Sequence, residues 1–517
     1  MTRRTRSPRL LAALAGVAAG ALTLAVAEVL AAVVSPAAAP LLAVGSAFVD
    51  LTPPWLKDFA IATFGTNDKL ALFVGMGLVV TGLAAVAGVV ALVRRWWGVA
   101  LVGLLGVVAA AAAGTRAGAG PLDVLPSLAG VAAGAFALVA LVDRLERSVV
   151  PDKAHAAGTT TGAARRTFLS AVGLTALGSA AVGVAGRLVG RSARDVSAGR
   201  AALDLPAPAR PAPAPPAAVD LDVDGITPWQ TPNPDFYRID TALSVPRVDP
   251  RDWRLRVHGL VEQEVEITFD DLLAEDLVEA WVTLTCVSNP VGGDLAGNAL
   301  WLGYPLRDLL ARARPRDGAD MVLSTSVDGF TASTPLDVLQ DSPEALLAVG
   351  MNGEPLPLEH GYPVRMVVPG LYGFVSATKW VVDLEVTRFA DATAYWTDRG
   401  WSERAPIKTA SRIDVPRPFA RLDPGPVVVA GVAWAQTRGI ERVEVRVDDG
   451  DWQEAQLAEQ ADVDTWRQWR LEWDATSGSH TLQVRATDGT GEVQTSERAD
   501  PIPDGASGWH NVVVQVA

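Results

Sequence analysis

The hydrophobic and polar positions fall into stretches of different period. Leu10–Val34 is a predominantly apolar run behind Arg3, Arg4, Arg6 and Arg9, long enough to cross a bilayer. It is too long for a cleaved signal peptide, and further runs follow at Leu70–Val93, Trp97–Gly114, Val124–Val142 and Phe168–Val189. This predicts a bundle of about five transmembrane helices within residues 1–190. After residue 220 the period changes. Trp253–Val257, Val282–Thr285, Met321–Val327, Pro363–Pro369 and Lys379–Thr387 read as strands, while Thr268–Leu277 and Tyr304–Ala313 read as short helices. They lack a regular strand-then-helix rhythm, so residues 220–415 are expected to be an α+β domain. From Val427 onward, alternation at Val443, Val445 and Val447, at Trp469, Leu471 and Trp473, and at Leu482, Val484 and Ala486 is broken by turns such as Asp448-Asp449-Gly450. Residues 416–517 therefore read as an antiparallel β-sandwich of immunoglobulin-like type, in a multidomain chain.

Residues 191–219 are rich in proline and alanine. The part from Ala201 to Ala218 is expected to be a stiff, extended spacer with nothing to bury, standing the second half off the membrane. Arg94-Arg95 lie between the second and third runs, and Arg144, Arg147, Lys153, Arg165 and Arg166 between the fourth and fifth. With the N-terminus inside, these clusters are all cytoplasmic, which predicts a multi-pass cell-membrane protein whose residues after 190 lie outside the cytoplasm. Arg165-Arg166-Thr167-Phe168-Leu169 resembles a twin-arginine export signal, internal to the chain; ordinary topogenic charge is the alternative. The net charge of −14 argues against a nucleic-acid partner. The histidines (155, 258, 360, 480, 510) all fall outside the spans, which excludes a bis-histidine haem within the bilayer. Trp55–Phe59, in the first outer loop, is a candidate interfacial or docking segment.

Candidate chemistry centres on Cys286, the single cysteine of 517 residues. It ends a predicted strand and leads into Asn289-Pro290 and Gly292-Gly293-Asp294, where the backbone can approach a ligand closely. That placement suits a nucleophile or a metal ligand; a small buried hydrophobe is the plain alternative.

Several stretches line up with it: Thr231-Pro232-Asn233-Pro234-Asp235-Phe236-Tyr237-Arg238-Ile239-Asp240, Val327-Asp328-Gly329-Phe330, Val364–Trp380, and Trp301-x-Gly303-x-x-Leu306-x-Asp308-x-Leu310. Together with the Thr283–Asn289 stretch they resemble the sulfite oxidase family of molybdopterin enzymes. The resemblance covers roughly residues 225–517, and the sandwich is similar to that family's dimerisation domain, with Ala433-Trp434 and Arg485–Gly489 as markers. It implies a molybdenum–molybdopterin cofactor whose metal takes Cys286 as its protein thiolate, a soft ligand suited to a metal that changes oxidation state. It further implies that Arg238 faces the oxo ligands and an anionic substrate, with an ion pair to Asp235 or Asp240 as the alternative. Phe236, Tyr237, Asp240, Asp308, Ser376, Thr378 and Lys379 fall on segments expected to bind the cofactor. The family's sulfite-oxidising members carry a tyrosine where this chain has Phe330, and arginines where it has Pro290–Asp294. These departures argue against sulfite and leave a small oxyanion or a sulfoxide as substrate.

Oxygen-atom transfer moves two electrons, so the expected partners are a cytochrome or quinone-linked carrier, the membrane, and a second copy of the chain through the sandwich. Two rival readings differ in class. Ser376-x-x-Lys379 fits the pattern of serine acyl-transfer enzymes, which needs a helix where this segment reads as loop into strand. The sandwich and spacer would also suit a non-catalytic receptor or adhesion protein.

Overall fold

The computed structural model describes residues 8–53, 56, 59, 63–64, 68–116, 119–149, 160–193 and 195–517. They form two compact units, Met1–Asp195 and Val196–Ala517.

The first unit is helical. Five helices are long and apolar enough to cross a membrane: Pro8–Val33, Lys69–Val93, Arg95–Gly114, Leu125–Arg147 and Arg166–Gly186. Small residues let their backbones touch. A Cβ on Gly16 would lie 2.0 Å from Ala84 O, and one on Gly88 2.0 Å from Ala12 O, the close approach typical of membrane helix pairs. Large side chains such as Leu78, Phe136, Leu174 and Leu177 point outward. The apolar pattern also hides a helix not expected from the sequence, Pro40–Leu51, whose 12 residues are too few to cross. The candidate docking segment Trp55–Phe59 lies largely outside the described residues, as do His155 and the side chain of Arg165.

The second unit contains the expected α+β layer and sandwich. One sheet runs in the order Val265–Thr268, Arg254–Gly259, Val381–Thr387, Met321–Ser326, Thr331–Pro335. Another runs Val278–Thr285, Ala296–Pro305, Leu346–Met351, Glu354–Pro355, with Arg365–Val367 also on Leu346–Met351. Helix Phe269–Leu273 begins at a reciprocal Thr268–Asp271 capping box, as its sequence predicts. The sandwich has its own core of Val443, Val445, Trp469, Leu482, Val484 and Val514 between two sheets. Its first strand, Ala410–Val415, pairs with Gly425–Trp434, so the sandwich starts before the boundary expected at residue 416.

The proline-rich stretch corrects a second expectation. It is not a spacer with nothing to bury: it lies along the second unit, joined to the start of strand Val278–Thr285 by an isolated parallel bridge between Arg210 and Val278. Ala209 N–H donates to Leu277 O at 2.7 Å, Glu279 N–H donates to Arg210 O at 2.9 Å, and Trp281 Nε1 reaches Pro213 O. Leu203 and Leu205 pack on the core beneath. Proline fixes an extended backbone without dictating solvent exposure, and composition alone did not reveal the docking face.

The sandwich also grips the strand that delivers Cys286. Thr283 N–H donates to Asp464 O, and Trp466 N–H donates to Thr283 Oγ1. The Asp464 carboxyl is buried there near Asp462 and Glu344, and burial foremost raises its pKa from 3.8 to about 7. The folded state thus keeps a proton that the unfolded chain releases across this window. Stability from this group is full below about pH 4 and falls as pH rises to about 7, by on the order of 4 kcal/mol at most. Asp464→Asn keeps the bond accepted from Thr437 N–H and removes the titration. In thermal melts the variant should unfold at a higher temperature than the parent at pH 8 and match it at pH 4.

Candidate active site

Cys286 follows the last residue of strand Val278–Thr285, whose inward positions Val282 and Leu284 are fully buried. The thiol opens on a cavity walled by the extended stretch 236–241, the turn 326–330, and residues 360–365 and 373–380. Burial pushes the thiol's pKa up; the backbone and side chain of Ser288, and the charge of Lys379, pull it the other way.

The cavity floor is cationic. Arg365 is buried within the apolar run Val364–Val368 and donates to the carbonyls of His360, Met366 and Ala377. Among the described residues no carboxylate pairs with it, and burial lowers its pKa to about 10, so it remains a cation at neutral pH. Lys379 Nζ sits 2.9 Å from Asp240 Oδ2 and donates to Glu359 O at 3.1 Å. Burial lowers its pKa to about 8, opposed by Asp240. His360 is held to about 4, first by burial and then by Arg365 and Lys379; it is neutral and donates through Nε2 to Asn233 O. The Tyr237 phenol, buried beside Cys286 and Arg365, is held far above its ordinary range by burial.

The mouth is aromatic. Ring centroids step from Phe330 to Tyr395 at 5.9 Å, Tyr395 to Trp396 at 5.2 Å, Trp396 to Trp401 at 6.1 Å and Trp401 to Phe374 at 5.7 Å.

Of the expected site residues, Cys286, Phe236, Tyr237, Asp240, Phe330 and Lys379 line this cavity. Others do not. Arg238 turns to a neighbouring cleft with Arg200, Asn233 and Glu359, and its Nε pairs with Asp240 Oδ2 at 2.8 Å. The guanidinium turns onto the Asp240 carboxylate instead of lining the cavity, which is the ion-pair alternative. Ser376 and Thr378 are fully buried: Ser376 Oγ donates to Leu371 O and Tyr372 O, and Thr378 Oγ1 bonds Ser324 Oγ. They shape the loop and stay off the cavity wall. Asp308 is exposed in the first turn of helix Leu306–Ala313, where a carboxylate favours the helix N-terminus. Ser376 and Lys379 engage different partners, so the serine acyl-transfer reading has no geometry behind it. Sequence reasoning missed the roles of His360, Arg365, Trp396 and Trp401. Arg365 was legible as a charge inside a buried apolar strand, and Tyr237 gives the cavity wall a phenol where Phe330 has none.

The donor set decides what can bind. Among the described residues no group of three or more His, Cys, Asp or Glu could hold a metal. A metal at Cys286 must therefore bring its own further ligands, as a pterin dithiolene does. The buried, counter-ion-free guanidinium of Arg365 calls for an anion such as the pterin phosphate. The residues fit the group.

The fold and site define a molybdopterin-dependent oxidoreductase. Residues 242–396 match the oxidoreductase molybdopterin binding domain, and residues 406–517 the Mo-co oxidoreductase dimerisation domain. Mitochondrial sulfite oxidase of Mus musculus is 32% identical over 339 residues, covering 55% of this chain and 61% of the relative. The uncharacterized oxidoreductase YuiH of Bacillus subtilis is 33% identical over 156 residues, covering 30% of this chain and 75% of that protein. The sulfane dehydrogenase SoxCD from Paracoccus pantotrophus superposes with a TM-score of 0.50 at 26% identity, covering 57% of this chain and 82% of that one. The chain belongs to the sulfite oxidase family, with molybdenum–molybdopterin as its cofactor. It spans about 61% of the length of the mouse sulfite oxidase.

Proposed function

We propose that the chain is a membrane-anchored oxidoreductase that transfers oxygen at a neutral, sulfoxide-type substrate and exchanges electrons with a separate carrier. The carrying observation is a lone buried thiol opening on a cavity whose other polar walls hold the cations Arg365 and Lys379, the carboxylates Asp240 and Asp328, and the hydroxyl residues Tyr237, Thr241, Ser288 and Ser326. Molybdenum–molybdopterin, when bound, supplies two-electron oxygen-atom transfer chemistry. Cys286 would ligate the metal, Arg365 and Lys379 would hold the phosphate, and Phe236, Tyr237 and His360 would line the pterin.

The names of the similar proteins, sulfite oxidase and sulfane dehydrogenase, point to sulfur as the reacting element. The mouth argues for a neutral form of it. Lys379, paired with Asp240, and Arg365 both lie on the floor, while Phe330, Phe374, Trp396 and Trp401 face an incoming molecule. A sulfite dianion would shed its water there against rings, whereas a sulfoxide with apolar substituents is desolvated at low cost. The basic clusters between the apolar runs support a topology with the N-terminus inside and residues after 190 outside the cytoplasm, where Arg165-Arg166 would serve export of the folded unit. The sandwich pairs two copies.

The full chain, purified from a host that makes the cofactor, should carry one molybdenum per chain by elemental analysis. With a reduced dye, each sulfoxide takes two electrons and two protons and leaves as thioether and water. This should run at least about tenfold faster than sulfite oxidation with the oxidised dye, a preference of roughly 1.4 kcal/mol. A folded protein with stoichiometric zinc or no metal would sink the cofactor reading, and rapid sulfite turnover the substrate reading.

A further inference from the structure

The Cys286 strand is an edge strand of its sheet. Ala296–Pro305 pairs with one side of it, and at its thiol end the other side meets the sandwich. There a side chain completes the ladder. Gln436 Nε2 donates to Thr283 O at 2.8 Å and to Thr285 Oγ1 at 3.3 Å, spanning the two residues on either side of Leu284. Gln436 has no exposure to solvent, and among the described residues its Oε1 has no hydrogen-bond partner. The amide cannot flip to satisfy that oxygen, because the flip would set Oε1 against the Thr283 carbonyl. An unpaired buried carbonyl is destabilising, a penalty that methionine, of nearly the same volume, would avoid at this position. The chain bears this cost where the bonded strand presents its sole thiol.

The same domain also holds the chain leaving Cys286. Arg412, paired with Asp414, donates through Nη1 to Gly293 O at 2.7 Å. The His510 ring lies so close to Gly292 that a Cβ there would sit 2.2 Å from it. Gly373 N–H donates to Thr285 O at 3.1 Å, and Cys286 N–H to Leu295 O at 2.9 Å. The thiol's backbone is thus fixed before and after, and Gln436 reaches from the sandwich to Thr285, the residue beside the thiol.

We propose that Gln436 is a positioning residue which, through Thr285, sets the direction in which the Cys286 sulfur meets the metal. The inference rests on the reading of Cys286 as a molybdenum ligand. The sulfur's orientation governs its overlap with the metal orbitals, so Gln436 tunes the metal's electronic structure from the neighbouring domain without touching substrate or cofactor.

The test uses the full-length, molybdenum-loaded protein. Gln436→Met removes both bonds at nearly constant volume, and Thr285→Val removes the bond at the residue beside the thiol. The expected result for each is a shifted Mo(V) electron paramagnetic resonance spectrum and a kcat lower by about tenfold at unchanged KM, with full metal content. The double variant should show little more than either single one, because both act through one contact. Unchanged spectra in both variants overturn the proposal. So does loss of metal together with a lowered melting temperature in both, which would make Gln436 a packing residue only. Absence of molybdenum from the parent protein would instead overturn the cofactor reading.

Discussion

Replacing Cys286 by serine should leave a protein that folds, melts like the parent and retains less than about 1% of its oxygen-transfer activity. The thiol is the sole cysteine and lies at the strand end, facing the cavity. A serine hydroxyl fits its space, so packing changes little. The chemistry changes far more: a hydroxyl is harder than a thiol and, unlike a thiol, does not ionise near neutrality. Burial already works against ionisation of the thiol, with Ser288 and Lys379 opposing it, and the metal must complete the deprotonation. A hydroxyl in that position would stay protonated. The check is turnover with an artificial dye, read beside molybdenum content and the thermal melt. Parent-like turnover in the serine variant would return Cys286 to a core residue.

The second large effect is expected at Arg365. Arg365→Met should leave circular dichroism unchanged and drop the molybdenum content of the purified protein below about a tenth of the parent's. Among the described residues the guanidinium bonds only neutral carbonyls and lies over Trp301 at 5.1 Å, so its charge is unmet until an anion arrives. Losing a buried cation that faces a phosphate weakens binding by about 2–5 kcal/mol, roughly 30- to 5000-fold. Arg365→Lys should recover part of the metal, since a point charge replaces a fork that can bond in two directions. Full metal content in the methionine variant would show that the phosphate lies elsewhere.

Much of this was legible in the chain. Apolar runs marked the five long helices because length and composition suffice for such segments. The alternation in 443–447 and 469–473 marked sandwich strands, since the inward residues of each are those with an apolar side chain. Cys286 and Lys379 were visible as single chemical features on segments of known resemblance. What stayed hidden depends on the direction of side chains. Arg238 sits on the expected stretch but spends its guanidinium on Asp240, a choice of partner that sequence does not display. Ser376 and Thr378 sit on the right segment but spend their hydroxyls on carbonyls and on Ser324. The aromatic mouth joins Phe330, Phe374 and residues 395–401, which only the tertiary fold brings together. The docking of the proline-rich stretch depended on an open sheet edge that sequence does not display.

That edge is where a second chain would otherwise join. Strand Val278–Thr285 is apolar, β-rich and paired by a neighbouring strand on one side, the features of a segment that recruits copies of itself into aggregates. The stretch laid against its start carries Pro206, Pro208, Pro211 and Pro213, which have no N–H to offer a further strand. It covers the start of that edge with a border poor in donors for a further strand. A soluble fragment cut to begin at residue 196 keeps that border, and one cut to begin at 220 exposes the very strand that carries the thiol.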